Sequence, residues 1–316
     1  MLALFNSINS AVCGALGINT YLQGVIIMVC INTIAVLGMS VLTGFTRLFS
    51  FGNAGFMSIG AYTAAILTVK FNVNFLLAII LGALFAGFIA FLLGSITLRL
   101  KGDYLAIITL GFGEIIRVVL TNIDSVLGFK FTYGAAGLKR IPKISSFTLV
   151  FLCVALTCLI IHMVMKSRHG RAILSIRENE IAAESCGVNT TYYKVMAFVL
   201  SAFFAGIAGC LYAGYLGSLY PSTFKFMKSI EILVMVVLGG MGSMLGSVLS
   251  ATVLTILPEL LRSVADYRMV AYSLLLVLMM IFRPKGLMGT YDFSLSRILE
   301  KLMNGGTRTG KEGAQK

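Results

Sequence analysis

The sequence predicts an all-α polytopic membrane helix bundle of about eight to nine spans, and three observations support this class. Hydrophobic residues make up 58% of the chain and charged residues only 12%, whereas a soluble domain carries about a quarter charged residues. Apolar runs recur along most of the chain, each near the roughly 20 residues that cross a bilayer. A segment such as Phe75–Leu98 lacks the polar face of a soluble helix, and strand-like alternation is absent.

The predicted spans follow one another with short polar connections. In chain order they are Tyr21–Thr43, Phe49–Val69, Phe75–Leu98, Tyr104–Leu120, Phe147–Met165, Tyr192–Gly217, Ile230–Leu261 and Met269–Phe282. The seventh is too long for one crossing. Its stretch Leu238–Gly246 holds four glycines, which predicts a broken or re-entrant segment near 238–246, tolerated where protein buries it.

The two ends of the chain differ from this predicted transmembrane region, which covers residues 20–287. Residues 1–19 are only mildly apolar and predict an interfacial segment. Residues 288–316 predict a tail with a short helix, Ser294–Leu302, followed by disorder. Within the tail, Gly305–Glu312 matches the start of a phosphate-binding loop, but the required Ser or Thr after the lysine is missing. We therefore expect no ATP site, and no other cofactor or metal site, in this chain.

The net charge of +13 is interpreted as a topology signal and not as a nucleic-acid surface, because basic residues flank the spans. Basic residues accumulate on the cytoplasmic side of membrane proteins. They are dense in the loop 166–191 and in the tail, so we expect both to be cytoplasmic. An even number of crossings must then separate them, which the broken segment supplies. The basic loop Thr121–Ser146 fits less well: either its length weakens the rule, or it contains a half-span.

One polar island, Gly170–Asn189, stands between two long apolar segments. Ser175 and Glu178 have capping-box spacing, and Gly187 is a natural residue just after a helix. These signals predict a single short helix over about Ile176–Cys186, and Asn189, Thr190 and Thr191 are candidate caps for the next span.

The charges of this helix do not balance internally. Glu180 and Glu184 are like charges at i,i+4 spacing, and Ala182 and Ala183 form a small-residue face. An acidic edge beside such a face suits docking into a partner. A solvated amphipathic loop helix explains the same composition equally well.

Five stretches, which follow one another in the family's order along the chain, resemble the branched-chain amino acid ABC-importer permeases of the LivM type. The most specific one is "GRAILSIRENEIAAESCGVNTTYYKVMAFVLSAFFAGIAGCLYA" in the polar island and the following span. Together the stretches cover Gly44–Ala65, Leu98–Arg117, Gly170–Ala213, Glu231–Ala251 and Tyr267–Leu287. The resemblance is less specific to the substrate, since urea and short-amide permeases are similar.

The resemblance implies a bacterial inner-membrane transport subunit without catalytic activity. It implies a second, related permease, two ABC ATPases that bind ATP and Mg, and an extracytoplasmic substrate-binding protein. It also implies that the polar island is the coupling helix that sits on an ATPase. The positions that match this motif, with the two flanking acidic residues added, are Arg177, Glu178, Asn179, Glu180, Ala182, Ala183, Glu184 and Gly187.

A second set of residues could line the transport path or pack helices together. Small residues permit close helix approach, and polar or charged groups within a span should face protein or a cavity. Glu114 and Arg117 have i,i+3 spacing, and an ion pair at the end of a span is the favoured alternative for them. The set comprises Gly52, Asn53, Gly55, Ser58, Glu114, Arg117, Gly239, Gly240 and Gly242.

Two other functional classes remain open from sequence. An ion-coupled carrier would need paired carboxylates or charged ligands at mid-membrane, and only Glu114 and Glu231 are available. A membrane enzyme is the weakest alternative, because no nucleophile–base or metal-ligand pattern is present.

Overall fold

The computed structural model describes residues 20–98, 104–127, 132–142 and 146–261, and isolated residues between 273 and 286. The predicted interfacial segment, most of the span Met269–Phe282 and the tail lie outside the described residues. The helices are α1 (Thr20–Met39), α2 (Asn53–Lys70), α3 (Phe75–Thr97), α4 (Tyr104–Leu127), α5 (Phe147–Lys166), α6 (Arg168–Glu178), α7 (Glu180–Ser185), α8 (Thr190–Leu216), α9 (Phe226–Gly239) and α10 (Met244–Leu260).

Five helices of the described part are long and apolar enough to cross a membrane. They are α1 with its extension, α3, α4, α5 and α8. The predicted membrane-helix bundle is therefore present, but the count of eight to nine spans is not established. Helices α9 and α10 have only 14 and 17 residues, because a turn interrupts the long predicted segment between them.

The core of the bundle forms around α8, which packs against α1, α2 and α3. Glycines allow these helices to touch backbone to backbone. A Cβ on Gly60 would overlap the carbonyl oxygen of Gly206, and one on Gly209 would overlap that of Met57. Such small-residue contacts replace the hydrophobic driving force that is missing between helices in lipid.

The outward faces of α3, α4 and α5 are apolar and exposed. Large hydrophobic side chains such as Phe88, Ile107 and Leu159 are more than half exposed. In the most apolar stretches of α3, α4 and α5, only 39%, 17% and 22% of the residues are buried inside the bundle. Such faces are expected to meet acyl chains or another membrane subunit.

Helix α1 does not end cleanly but continues as a π-helix, Ser40–Gly44. This segment is buried, and π-turns often occur at functional sites. The sequence prediction placed the end of the span correctly, at Thr43, but contained no signal for the change of helix type.

The predicted break in the seventh segment is confirmed at residues 240–243. Gly240 and Gly242 have φ values of 104° and 93°, a backbone region that favours glycine. Ser243 caps α10 by accepting from Gly246 N at 3.1 Å. Gly239 packs directly on Gly246, since a Cβ on Gly239 would lie 2.6 Å from the Gly246 carbonyl group.

A short antiparallel pair, β1 (Leu138–Lys139) and β2 (Ser218–Leu219), links the loop after α4 to the end of α8. The described part of the loop 121–146 otherwise holds the last turns of α4, one 3₁₀ turn, Gly134–Ala136, and no half-span helix. Helix α4 extends to Leu127, seven residues beyond the predicted end at Leu120.

Candidate functional site

The polar island forms two helices, so the predicted single helix over Ile176–Cys186 is wrong. Helix α6 runs from Arg168 to Glu178, and α7 from Glu180 to Ser185. Asn179 separates them in an extended conformation (φ −157°, ψ 111°) and caps α7, accepting from Ala182 N at 3.1 Å.

The predicted capping box is also wrong. Ser175 lies in the last turns of α6, and its hydroxyl donates to the Ala172 carbonyl at 2.8 Å. The cap of α6 is Ser167, which accepts from Gly170 N at 3.4 Å. Asn179 ends α6 because its side chain offers the backbone an alternative partner, as Asn does at caps.

The far end of α7 has the geometry that the sequence predicted. Gly187 has a φ of 83°, and Val188 N donates to Ala183 O at 3.0 Å. Together with the bond from Gly187 N to Glu184 O at 2.9 Å, this is a Schellman motif. Asn189 caps α8, accepting from Tyr192 N at 3.1 Å. The island is therefore a rigid unit with defined ends.

Glu180 is not the unpaired charge that the sequence predicted. Its carboxylate pairs with Lys194 of α8, with 2.5 Å between Oε1 and Nζ. The Lys194 side chain is only 9% exposed, so the pair ties α7 to the first turns of α8. Sequence spacing could not find this partner, because it is 14 residues away and belongs to another helix.

The surface of α7 that remains free of the bundle is centred on Ile181, which is 78% exposed. Ala182 and Glu184 share this exposure, whereas Ala183 is buried. Ile181 was missed by the sequence reading, which considered charges and small residues. An isolated, exposed isoleucine on a short polar helix is the signal that could have found it. We call the exposed residues Ile181, Ala182, Glu184, Ser185 and Cys186 the α7 surface.

Two predicted coupling residues on α6 point in different directions. Glu178 is exposed, with 73% of its side chain accessible. The Arg177 side chain is only 13% exposed, and its Nε lies 3.9 Å from the Glu178 carboxylate. A Cβ on Gly242 would overlap Nη1 of Arg177, so this guanidinium lies against the turn between α9 and α10 and not on the α7 surface.

Glu114 and Arg117 form an ion pair in the middle of α4, not at a span end. Arg117 Nε donates to Glu114 Oε2 at 2.6 Å, and the two side chains are 35% and 30% exposed. Because α4 extends to Leu127, about 15 Å of helix precedes Glu114. A partly exposed charge pair in the middle of an apolar helix is costly where it faces acyl chains.

The first turns of α2 and α9 converge beside this pair. Phe226 N donates to Glu114 Oε1 at 3.4 Å, and Ala54 N donates to Ser229 Oγ at 2.9 Å. The N-terminus of α9, which carries partial positive charge, thus meets a carboxylate, and the N-terminus of α2 is tied to α9 through Ser229. The residues around this small cleft, which we call the α4 cleft, are Phe51, Ala54, Gly55, Leu110, Gly113, Glu114, Phe224, Phe226 and Ser229.

The predicted glycines at the start of α2 bring it close to α4. A Cβ on Gly55 would lie 2.9 Å from Gly113 Cα, and one on Gly52 would lie 3.0 Å from the Thr109 carbonyl oxygen. Both positions therefore tolerate little beyond glycine without a backbone shift, and they set the width of the α4 cleft.

The two polar residues predicted on this helix are buried. Ser58 donates to the Gly55 carbonyl at 2.7 Å. Asn53 lies in a neighbouring small cavity with Ser50 and Ser201, and its Nδ2 has no hydrogen-bond partner within the described residues. A polar group in that state needs a water or a ligand.

The family model described as "Branched-chain amino acid transport system / permease component" matches residues 21–283. The LivM high-affinity branched-chain amino acid transport system permease protein of Salmonella typhimurium is 38% identical over 295 residues, 83% of this chain and 68% of that protein. LivM of Escherichia coli is 37% identical, over 86% of this chain and 70% of that protein.

A second type of relative matches over a shorter stretch. LivH, another high-affinity branched-chain amino acid transport system permease protein of Escherichia coli, is 31% identical over 125 residues, 39% of this chain and 40% of that protein. No solved structure matches this chain significantly.

Proposed function

Because the chain belongs to the family of branched-chain amino acid transport system permease components, we propose that it is the membrane permease subunit of a bacterial ATP-driven importer of branched-chain amino acids. The observation that carries this proposal is the similarity to two LivM proteins over more than four fifths of the chain. The proposed location is the inner membrane, with the polar island and the tail cytoplasmic.

Coupling to ATP hydrolysis is proposed at the α7 surface. Caps at Asn179, Gly187 and Asn189 and the ion pair of Glu180 with Lys194 hold α7 against α8. A helix fixed in this way can transmit a displacement, whereas a slack loop cannot. Two ABC ATPases would bind and hydrolyse ATP with Mg, and α7 would sit in a cleft of one of them.

A second permease is proposed on the exposed face of α4, with the α4 cleft at its edge. The Glu114–Arg117 pair is partly exposed on a helix whose exposed residues are mostly apolar, and a protein or a polar path satisfies it better than lipid. This chain resembles both LivM and LivH of Escherichia coli, which supports pairing between two related subunits. A substrate-binding protein would deliver the amino acid from the extracytoplasmic side.

The proposed transport step is alternating access along this face. ATP-driven closure of the ATPases would displace the polar island and change the opening of the path between the two permeases. A weakly binding, largely apolar path suits an apolar amino acid, and the binding protein can supply specificity.

The decisive test of this function is uptake by the assembled importer in proteoliposomes, with ATP inside the vesicles and the binding protein outside. We expect ATP-dependent, binding-protein-dependent accumulation of leucine and none of urea. Uptake of urea instead would assign the chain to the short-amide permeases. Uptake of leucine driven by an ion gradient without ATP would establish the ion-coupled carrier.

The neutralising variant Glu114→Gln tests whether the α4 ion pair belongs to the path. Loss of the carboxylate leaves the Arg117 charge uncompensated, so we expect leucine uptake at equal protein level to fall about tenfold, equivalent to about 1.4 kcal/mol. The double variant Glu114→Gln, Arg117→Gln removes that imbalance. Uptake that returns to the wild-type rate in the double variant would show that the pair only supports the fold.

A further inference from the structure

The Arg177 side chain is a mostly buried cation whose only ion pair within the described residues is a long one, to Glu178 of the same helix. Its Nε has no hydrogen-bond partner within the described residues. The nearest carboxylate, that of Glu178, is 3.9 Å away and largely in solvent. An arginine held in this state is costly unless its surroundings favour positive charge.

The guanidinium lies against Gly242, which belongs to a cluster of four glycines brought together from three parts of the chain. Gly44 ends the π-helix after α1, and a Cβ on it would lie 2.9 Å from Gly242 N. A Cβ on Gly242 would overlap Arg177 Nη1 and lie 3.4 Å from the Gly44 carbonyl oxygen. Gly286, from the end of the chain, packs on Gly240 in the same way. We call Gly44, Gly240, Gly242 and Gly286 the glycine junction.

The glycine junction is also where two helices present their C-terminal ends. The extended α1 ends at this point, and α9 ends at Gly239. Helix C-termini carry partial negative charge from their unpaired carbonyls, so a cation placed there is favoured. These helix ends favour the Arg177 charge, whose own carboxylate partner, Glu178, is 3.9 Å away and largely exposed.

Helix α9 connects the glycine junction with the α4 cleft. It is a single helix of 14 residues, about 21 Å long. Its last residue adjoins the turn that meets Arg177, and its first residue donates to Glu114. Its Ser229 hydroxyl also accepts from Ala54 at the start of α2. Because α9 is one uninterrupted helix, a displacement of its C-terminal end is expected to displace its N-terminal end as well.

We infer that Arg177 is the positioning residue through which the polar island moves α9 and thereby opens or closes the α4 cleft. The inference rests on the proposed function, since it takes α6 and α7 as the element that the ATPases displace. Arg177 would act by steric and electrostatic contact with the glycine junction. It would contact neither the transported amino acid nor ATP.

The test compares Arg177→Met with Arg171→Met in the assembled importer. Arg171 lies on the same helix, is exposed and contacts only the Lys166 carbonyl within the described residues, so it is a matched control. Each complex is assayed for ATPase co-purification, for binding-protein-stimulated ATP hydrolysis and for leucine uptake. For Arg177→Met we expect unchanged assembly and continued hydrolysis, with at least a tenfold drop in leucine imported per ATP. Arg177→Lys should restore part of this ratio, and Arg171→Met should not change it.

A second readout does not depend on the substrate. The substitution Leu110→Cys places a thiol in the α4 cleft. It is combined with Cys186→Ser, so that this exposed native cysteine does not react. We expect its maleimide labelling rate to change when ATP is added, and this response to disappear with Arg177→Met. Absence of leucine uptake by the wild type would count against the proposed substrate alone, because this labelling response would still test Arg177.

Three outcomes would overturn the inference. The first is an unchanged ATP-dependent labelling response in Arg177→Met. The second is an equal loss of uptake and hydrolysis, which leaves the ratio of leucine to ATP as in the wild type. The third concerns folding: failure of both Arg177→Met and Arg177→Lys to assemble with the ATPases would reduce the contact to a structural role.

Discussion

Replacing Ile181 by aspartate is expected to release the ATPase subunits from the permease and to abolish uptake. Ile181 is the most exposed large apolar side chain of the described residues and stands at the centre of the α7 surface. A carboxylate there would be buried in the interface without a partner, and disruption at the centre of an interface costs about 2 kcal/mol or more. We expect at least a roughly 30-fold loss of affinity for the ATPases.

The measurement is co-purification of the ATPases, combined with labelling of Cys186. This cysteine is exposed beside α7, so an ATPase that covers the helix should protect it from a membrane-impermeant maleimide. Protection should be present in the wild type and in Ile181→Val, and lost in Ile181→Asp. The melting temperature of the isolated chain should not change, because Ile181 packs little against the bundle.

Glu184→Lys is a weaker version of the same change, since Glu184 is exposed on α7 and only its charge is reversed. Glu180 is unsuitable for this purpose because its pair with Lys194 holds the helix in place. Retained co-purification and retained protection of Cys186 in Ile181→Asp would show that the ATPases dock elsewhere.

Gly209→Ala is expected to destabilise the bundle strongly. The new Cβ would overlap the carbonyl oxygen of Met57, and a backbone atom in the middle of α2 cannot move aside alone. Overpacking of this kind costs about 1–3 kcal/mol and occasionally more. The effect is measured as the loss of far-UV circular dichroism on heating in detergent, which suits a chain without tryptophan.

Gly111→Ala is the matched control, because a Cβ there would have nothing within 4 Å among the described residues. Alanine favours a helix over glycine by about 1 kcal/mol, so this variant should be as stable as the wild type or slightly more stable. Equal melting temperatures for Gly209→Ala and Gly111→Ala would mean that α2 and α8 do not pack backbone to backbone.

Local signals in the sequence were sufficient wherever the physical cause is local. The apolar runs predicted the membrane helices, the glycines near 240 predicted the break, and Gly187 and Asn189 predicted the ends of their helices. The first depends on the length of apolar chain needed to cross lipid. The second depends on the freedom of glycine to adopt positive φ, and the third on caps formed by residues next to the helix end.

Two of the incorrect predictions have different local origins. Ser175 has capping-box spacing, but α6 already passes through it, and Asn179 four residues later provides the stronger break. The position of Glu114 and Arg117 within α4 was missed for another reason, because the apolar pattern ends at Leu120 whereas the helix continues to Leu127.

The sequence by itself determined that this protein is a helical membrane permease with one capped polar island. Only the tertiary structure decided what each polar residue of that island contacts. Glu180 is directed to Lys194, Ile181 is left exposed, and Arg177 is buried against Gly242, 65 positions later in the chain. The physical reason is that caps and hydrophobic runs are local, whereas the partner of a charged side chain is whatever helix packing brings within a few ångströms.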